Sequence, residues 1–301
     1  MAADEKLIQR LNQKYEKVLN NMFELLDCSM SGHTGGSMSM LEIIIALYFH
    51  HLRLHPTDYD WPERDRMILS KAHCCEAIYS VLPELGYVSR EALKGYNDYK
   101  EPFQGHADRW ATPGIDYSGG SLGQGLSFAA GLALSEKLKT TAHPPESSIP
   151  QFLPRFKTIY NPLYRVFCIL GDGECNEGQV WEAAMFANKF KLDNLIAIVD
   201  YNKFSLDGPS EEIMPLAPFG EKWESFGWWV KEIDGHNMRE VVDTIDLAKN
   251  LYGDGKPKCI IAHTVKGHVI PCWEEPHVHL ARGKGVEVGL AEGRKKYGKG
   301  K

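Results

Sequence analysis

The 301-residue chain reads as an α/β protein built on a doubly wound parallel sheet. Three observations predict this. Five short strand-like runs alternate with stretches of helical periodicity. Two of them, 166–170 and 195–199, are apolar throughout, as strands buried on both faces are. Polar, glycine-bearing loops at 31–36, 70–73, 119–125, 171–174 and 200–208 lie, wherever a strand is recognisable before them, at or near its carboxyl end. That edge is where open parallel sheets bind ligands.

The elements follow in order. Leu7, Leu11, Tyr15, Val18, Met22 and Leu25 recur every three or four residues and predict an amphipathic first helix. It ends in a loop, Ser31-Gly32-His33-Thr34-Gly35-Gly36, before a second apolar helix over roughly 40–51. Residues 65–70 form a short strand that runs into Lys71-Ala72-His73, with a helix through Glu76, Ile78 and Leu82 behind it. Residues 97–120 lack periodicity and carry Gly105-His106 and Gly119-Gly120. A loop of that length inside a compact domain is a candidate functional segment. Ser121-Leu122-Gly123-Gln124-Gly125 opens a helix rich in Ala and Leu, and the proline-rich stretch 140–163 reads as a surface excursion. The runs 166–170 and 195–199 flank a helix with Trp181, Ala184, Met185 and Asn188 at spacings of three and four, giving a strand–helix–strand unit. Residues 228–233 and 259–263 are the last strands, with a helix across Val241, Ile245 and Ala248 between them. The expected organisation is a domain over 1–280 and a solvated, weakly ordered polar tail over 281–301.

Composition narrows the function. A net charge of −6 gives no electrostatic reason to expect nucleic acid or an anionic membrane as partner. Seven cysteines, odd in number and without a CxxC pair, speak against a disulfide framework or a zinc site. The first residues lack the apolar core of a signal peptide, and no stretch approaches membrane-spanning length. These features predict a soluble cytoplasmic protein with reduced thiols.

The chemistry concentrates at strand ends. Gly171-Asp172-Gly173 follows one apolar run and Asn202 follows the next. A right-handed crossover brings both loops to one edge of the sheet. A carboxylate and an amide oxygen beside a glycine turn suit a hard cation such as Mg²⁺, which takes its other ligands from phosphate and water. The glycines allow backbone amides to approach a phosphate. The same residues would also serve as plain turn formers. Three loop histidines, His33, His73 and His106, offer imidazoles suited to proton transfer near neutral pH.

The stretch GDGECNEGQVWEAAMFANKFKLDNLIAIVDYN resembles the thiamine-diphosphate signature in the form that transketolases carry. The resemblance implies that Asp172 and Asn202 give side-chain oxygens to Mg²⁺, that Phe204 gives its backbone carbonyl, and that Gly173 lies in the cofactor turn. Tyr201 stands where the family usually has asparagine, but the ligand position, Asn202, is kept. Ser31-Gly32-His33-Thr34-Gly35-Gly36 is similar to the SGHxG loop, which puts His33 on the ketose. Leu69-Ser70-Lys71-Ala72-His73 is similar to LSxGH, which puts His73 near the cofactor diphosphate and the reacting centre, with Ala72 in place of glycine. His106 maps to a substrate-facing histidine. Gly119 to Gly125 resembles TGPLGQG, whose backbone meets the cofactor at Gly120, Ser121 and Leu122, with Ser121 in place of proline. The family's WHG-like tripeptide is missing from 273–280; His279, rather than His277, is the expected fourth histidine. Glu177 matches an acidic residue that lies towards the partner active site.

The resemblance covers only the diphosphate-binding half of a full-length transketolase. By the resemblance, the half that holds the aminopyrimidine ring, with its activating glutamate, is expected on another chain. What this implies is the N-terminal subunit of a split transketolase, dependent on thiamine diphosphate and Mg²⁺. It would move a two-carbon ketol unit from a ketose, with sugar phosphates as substrates, to an aldose. Activity would require a C-terminal, pyrimidine-binding partner chain in a dimer of heterodimers. The competing readings are the α subunit of a thiamine-dependent 2-oxoacid dehydrogenase, a deoxyxylulose-phosphate-synthase-like activity, a non-catalytic thiamine-diphosphate-binding homologue, and a plain nucleotide-binding module.

Overall fold

Apolar runs flanked by glycine turns become strands of one parallel sheet, and the order of those strands decides which loops meet. The computed structural model describes residues 3–141, 162–251, 253–275 and 278–297. Its strands are β1 (Ser31–Gly32), β2 (Arg66–Leu69), β3 (Val166–Gly171), β4 (Leu195–Tyr201), β5 (Trp229–Asp234), β6 (Lys258–His263) and β7 (Ala281–Arg282). The main sheet is five-stranded in the order β2-β3-β4-β6-β5, parallel at every pairing. β1 and β7 form a separate antiparallel pair, with Ser31 opposite Arg282.

Side chains alternate across the sheet and feed two cores. Phe167 and Ile169 of β3, Ile196 and Ile198 of β4, and Ile260 of β6 face one side. Val166, Cys168, Leu170, Ala197, Val199 and Ile261 face the other. Helices cover both faces, which is why β3 and β4 are apolar without alternation. The first core takes α1 (Glu5–Ser29) and the helices Leu41–Ala46 and Met238–Asn250; the second takes α2 (Gln124–Thr141) and α3 (Gly178–Lys189). Asp4 caps α1, and Met30 closes it in a left-handed conformation. The doubly wound expectation therefore holds.

Strand register places the loops. Leu69 pairs with Ile169, Gly171 with Asp200, and Tyr201 with His263. The segments after β2, β3, β4 and β6 thus leave the sheet at one edge, as the crossover rule requires. All seven cysteines are free. No helix among the described residues is long and apolar enough to cross a membrane.

Two expectations are corrected. The glycine loop at 31–36 does not stay irregular, because Thr34–Ser39 forms a short buried helix directly after His33. The helix expected between the two apolar runs is α3, which buries Val180, Ala183, Ala184 and Ala187 and leaves Met185 exposed. The solvated tail expected over 281–301 is instead largely helical, α4 (Lys284–Tyr297), packed against α1. Its buried residues, Val286, Gly289, Leu290 and Gly293, keep helical spacing. The two glycines let aromatic rings approach: a Cβ at Gly289 would run into the Trp273 indole, and one at Gly293 into the Phe23 ring. Most of the excursion placed at 140–163 falls outside the described residues, as does His277.

Candidate active site

At the carboxyl edge of the sheet the loops enclose a cavity of about 440 Å³. His33, His73, His106 and His279 line it together with Gly120, Leu122, Asp172, Gly173, Asn202 and Phe204. These residues come from separate loops along the chain, and the sequence expected each of them at the site. Two others expected there, Ser121 and Glu177, are exposed and do not line the cavity. Glu177 packs instead beneath the loop at Gly123, where φ is +83° and an added Cβ would lie 2.7 Å from the Glu177 Cβ.

One end of the cavity is built from oxygens. Asp172 follows β3, is buried, and accepts a hydrogen bond from Ser210 Oγ at 2.7 Å. Burial, with nearby Asp200, pushes its carboxyl up to about 6. A buried carboxylate in that state favours a cation beside it. Asn202 follows β4; its Nδ2 donates to Asp200 Oδ2 at 3.2 Å, which turns Oδ1 the other way. Lys203 then adopts φ +67°, and the chain folds back so that Phe204 N donates to Asn202 Oδ1 at 3.1 Å.

Residues that lie inside the motifs but carry no role in them hold this end together. Asp200 is fully buried and accepts from Lys71 Nζ, Ser39 Oγ, Thr264 Oγ1 and Asn202 Nδ2. Lys71 also donates to the Gly36 carbonyl at 2.9 Å, which ties the His33 segment to the end of β4. Burial alone would lower the Lys71 ammonium, but Asp200 together with Cys74 and Asp172 outweighs it and the net shift is upward. Glu174 plays a similar part: it accepts from Ser70 Oγ, from Gly123 N at 2.8 Å and from Gly171 N at 3.1 Å. It thereby joins the 119–125 loop to the Gly171-Asp172-Gly173 turn. Lys266 also lines the cavity, its Nζ 3.4 Å from the Ser205 carbonyl and 5.6 Å from the Phe204 ring centre. The only sequence signal for Asp200 and Glu174 is a charge at a strand end, Asp200 at the end of β4's apolar run and Glu174 just after the Gly171-Asp172-Gly173 turn.

The other end is built from imidazoles. Ring centres of His33 and His73 lie 5.3 Å apart, His33 and His279 5.4 Å, His73 and His279 5.1 Å, and His33 and His106 6.1 Å. Burial, then Lys71 and the neighbouring rings, pushes His73 down to about 2. Burial and Lys266 push His279 down to about 4. His33 is also lowered, again chiefly by burial. His73 is therefore far from working pH rather than near it, and acts as a neutral imidazole. Such a ring donates or accepts a hydrogen bond but is a poor base.

Fold and cavity define a class: an α/β domain whose cleft at the carboxyl edge of a parallel sheet has an oxygen-rich end and a histidine-rich end. Comparison with known proteins gives the family. Residues 17–300 match the family described as "Transketolase, thiamine diphosphate binding domain". The chain is 44% identical over 236 residues to the 6-deoxy-6-sulfo-D-fructose transketolase subunit SqwG of Clostridium sp. (strain MSTE9), covering 78% of each. It is 36% identical over 282 residues to an apulose-4-phosphate transketolase subunit of Actinobacillus succinogenes, covering 93% of this chain and 94% of that one. Human transketolase is 32% identical over 268 residues, but this chain spans only 39% of its length. The solved transketolase of Leishmania mexicana superposes with a TM-score of 0.81 at 28% identity, over 94% of this chain and 41% of that chain. The protein belongs to the transketolase thiamine-diphosphate-binding family. These matches favour the transketolase reading over the 2-oxoacid dehydrogenase and nucleotide-module readings.

Proposed function

We propose that this chain is the diphosphate- and metal-holding subunit of a two-chain, cytoplasmic transketolase that moves a two-carbon ketol unit from an anionic ketose to an aldose. The observation that carries the reading is the single cavity in which the Asp172–Asn202 pair and four histidines meet. The subunit reading draws further support from relatives that are named as subunits and matched over most of their length.

The donor set fits the cofactor. A buried carboxylate, an amide oxygen and the backbone carbonyl of Phe204 are hard oxygen ligands, the set that Mg²⁺ takes alongside phosphate and water. Asp172, Asn202 and Phe204 would hold the metal, with the backbone around Gly120, Ser121, Leu122 and Gly173 against the diphosphate. Thiamine diphosphate, when bound, supplies carbanion chemistry that side chains cannot.

The chain's own residues orient the sugar and handle its protons. His73, held neutral, donates a hydrogen bond to a sugar oxygen that gains charge. His33 and His106 take or return a hydroxyl proton. His279 closes the ring cluster over the substrate. Lys71 has its charge matched by Asp200, so it stiffens the site rather than acting as a base. Glu177, exposed beside the cleft, faces a C-terminal, pyrimidine-binding partner in a dimer of heterodimers.

The relatives named above act on a sulfonated ketose and on a phosphorylated one, so the donor class is taken as a ketose with an anionic end. Co-expression with the C-terminal chain, then a ketol-transfer assay on ketose phosphates and sulfonates, tests the proposal. Turnover is expected from the pair and not from this chain alone. Full turnover by the single chain would refute the subunit reading.

A further inference from the structure

Glu76 lies in the short helix Cys75–Tyr79, close behind His73, and none of the motifs above includes it. Its side chain is 1% exposed. Oε1 accepts from His33 N at 2.6 Å and from Tyr96 Oη at 2.7 Å; Oε2 accepts from Ser37 Oγ at 2.7 Å. Both oxygens act only as acceptors, the role of a carboxylate. No lysine or arginine pairs with it among the described residues. Its ionic partner is His33, whose Nδ1 stands 3.9 Å from Oε1. That Nδ1 is buried and has no hydrogen-bond partner. Gly32 makes the approach possible, since a Cβ there would lie 2.9 Å from Glu76 Oε1.

A carboxylate sealed from water with no matching cation is costly, and so is a buried ring nitrogen without a partner. Here the two face each other. We propose that Glu76 is a positioning residue for His33, holding the ring with its Nδ1–H towards Oε1 and leaving Nε2 to the cavity. The proposal rests on the ketol-transfer reading of the site. When Nε2 takes a proton from a sugar hydroxyl, the ring becomes an imidazolium and Glu76 supplies the opposite charge. The proton then leaves Nε2 for the oxygen of the product, and the pair returns to its starting state. Ser37 and Tyr96 keep the carboxylate in place through the cycle.

The surroundings of His33 make such support necessary. His73, His106 and His279 face its ring, and Arg282, paired across from Ser31, adds a positive charge. Among these groups Glu76 is the one anion. Burial lowers His33, and Glu76 pulls it back up.

The test reads the ring directly and needs no turnover. In the full chain labelled with ¹⁵N-histidine, His33 is assigned by its loss in His33→Gln, and its tautomer and titration midpoint are measured. Neutral His33 is expected with the proton on Nδ1. Glu76→Gln is expected to move the midpoint to lower pH, while Tyr96→Phe leaves it nearly in place. A neutral ring with its proton on Nε2 in the unaltered chain would overturn the proposal, whatever the variants do. So would an unchanged midpoint in folded Glu76→Gln. In the complex with its partner, Glu76→Gln is expected to lower kcat roughly 10²-fold with little change in the donor KM, and Glu76→Asp to restore part of it. Equal loss in the Asp and Gln variants would also count against it. Failure of the whole assay with the unaltered pair would fall on the function reading and leave the ring measurements standing.

Discussion

The two ends of the cavity are built on opposite principles. At the oxygen end nearly every polar group already has a partner: Asp200 takes four donors, and Glu174 links three segments. At the histidine end, four rings pack at 5.1–6.1 Å, and the buried Nδ1 of His33 has no hydrogen-bond partner. The first arrangement is that of a preformed grip, the second of a surface that waits for hydroxyls. Changes at the oxygen end should therefore cost folding or cofactor binding, and changes at the histidine end should cost turnover.

The largest expected effect is at Asp200. Asp200→Ala leaves the Lys71 ammonium buried without its counter-charge, which costs about 3–5 kcal/mol. Denaturant unfolding should show that loss, and a change below about 1 kcal/mol would mean the pair contributes little to the frame. Next comes Asp172. Asp172→Ala should weaken Mg²⁺-dependent thiamine diphosphate binding by at least about 10²-fold, measured by calorimetry. The comparison then reverses at His73. His73→Ala should lower kcat about 10²-fold in the two-chain complex while cofactor affinity hardly moves. A parallel loss of affinity would merge the two ends into one.

The smallest effect is on pH dependence. Burial, together with Lys71 for His73 and Lys266 for His279, depresses these rings to about 2 and about 4 from an ordinary 6.5. The unfolded chain therefore binds protons that the folded chain refuses once the pH drops below 6.5. Their contribution to stability is full above that value and is lost as the pH falls. Denaturant midpoints followed from neutral pH downwards should decline, and His73→Asn should flatten the decline. An identical slope in the variant would place the acid sensitivity elsewhere.

The same contrast governs what the sequence reveals. The unit β3–α3–β4 is legible because local chemistry writes it: apolar runs, a glycine turn and polar strand ends. The histidine loops are legible only as short motifs on different segments, and the sheet register is what brings them together. Asp200 and Lys71 are not legible, since 129 positions separate partners that meet only through the sheet. Glu76 is hidden for the same reason, as one charge on an otherwise apolar helix. Helix α4 is hidden differently. Gly289 and Gly293 lower helix propensity and so suggest a loose tail, yet they are the positions where Trp273 and Phe23 need room. Helix α3 is legible from its spacing, but its buried face is not, because Val180 and three alanines pack inward while Met185 and Phe186 are left exposed.

The most direct test is the affinity of the chain and its partner for thiamine diphosphate, titrated by calorimetry in Mg²⁺ and again in chelator. If Asp172, Asn202 and Phe204 hold the metal that grips the diphosphate, binding should be strong with Mg²⁺ and at least about 10²-fold weaker without it. Equal affinity under both conditions would contradict the account.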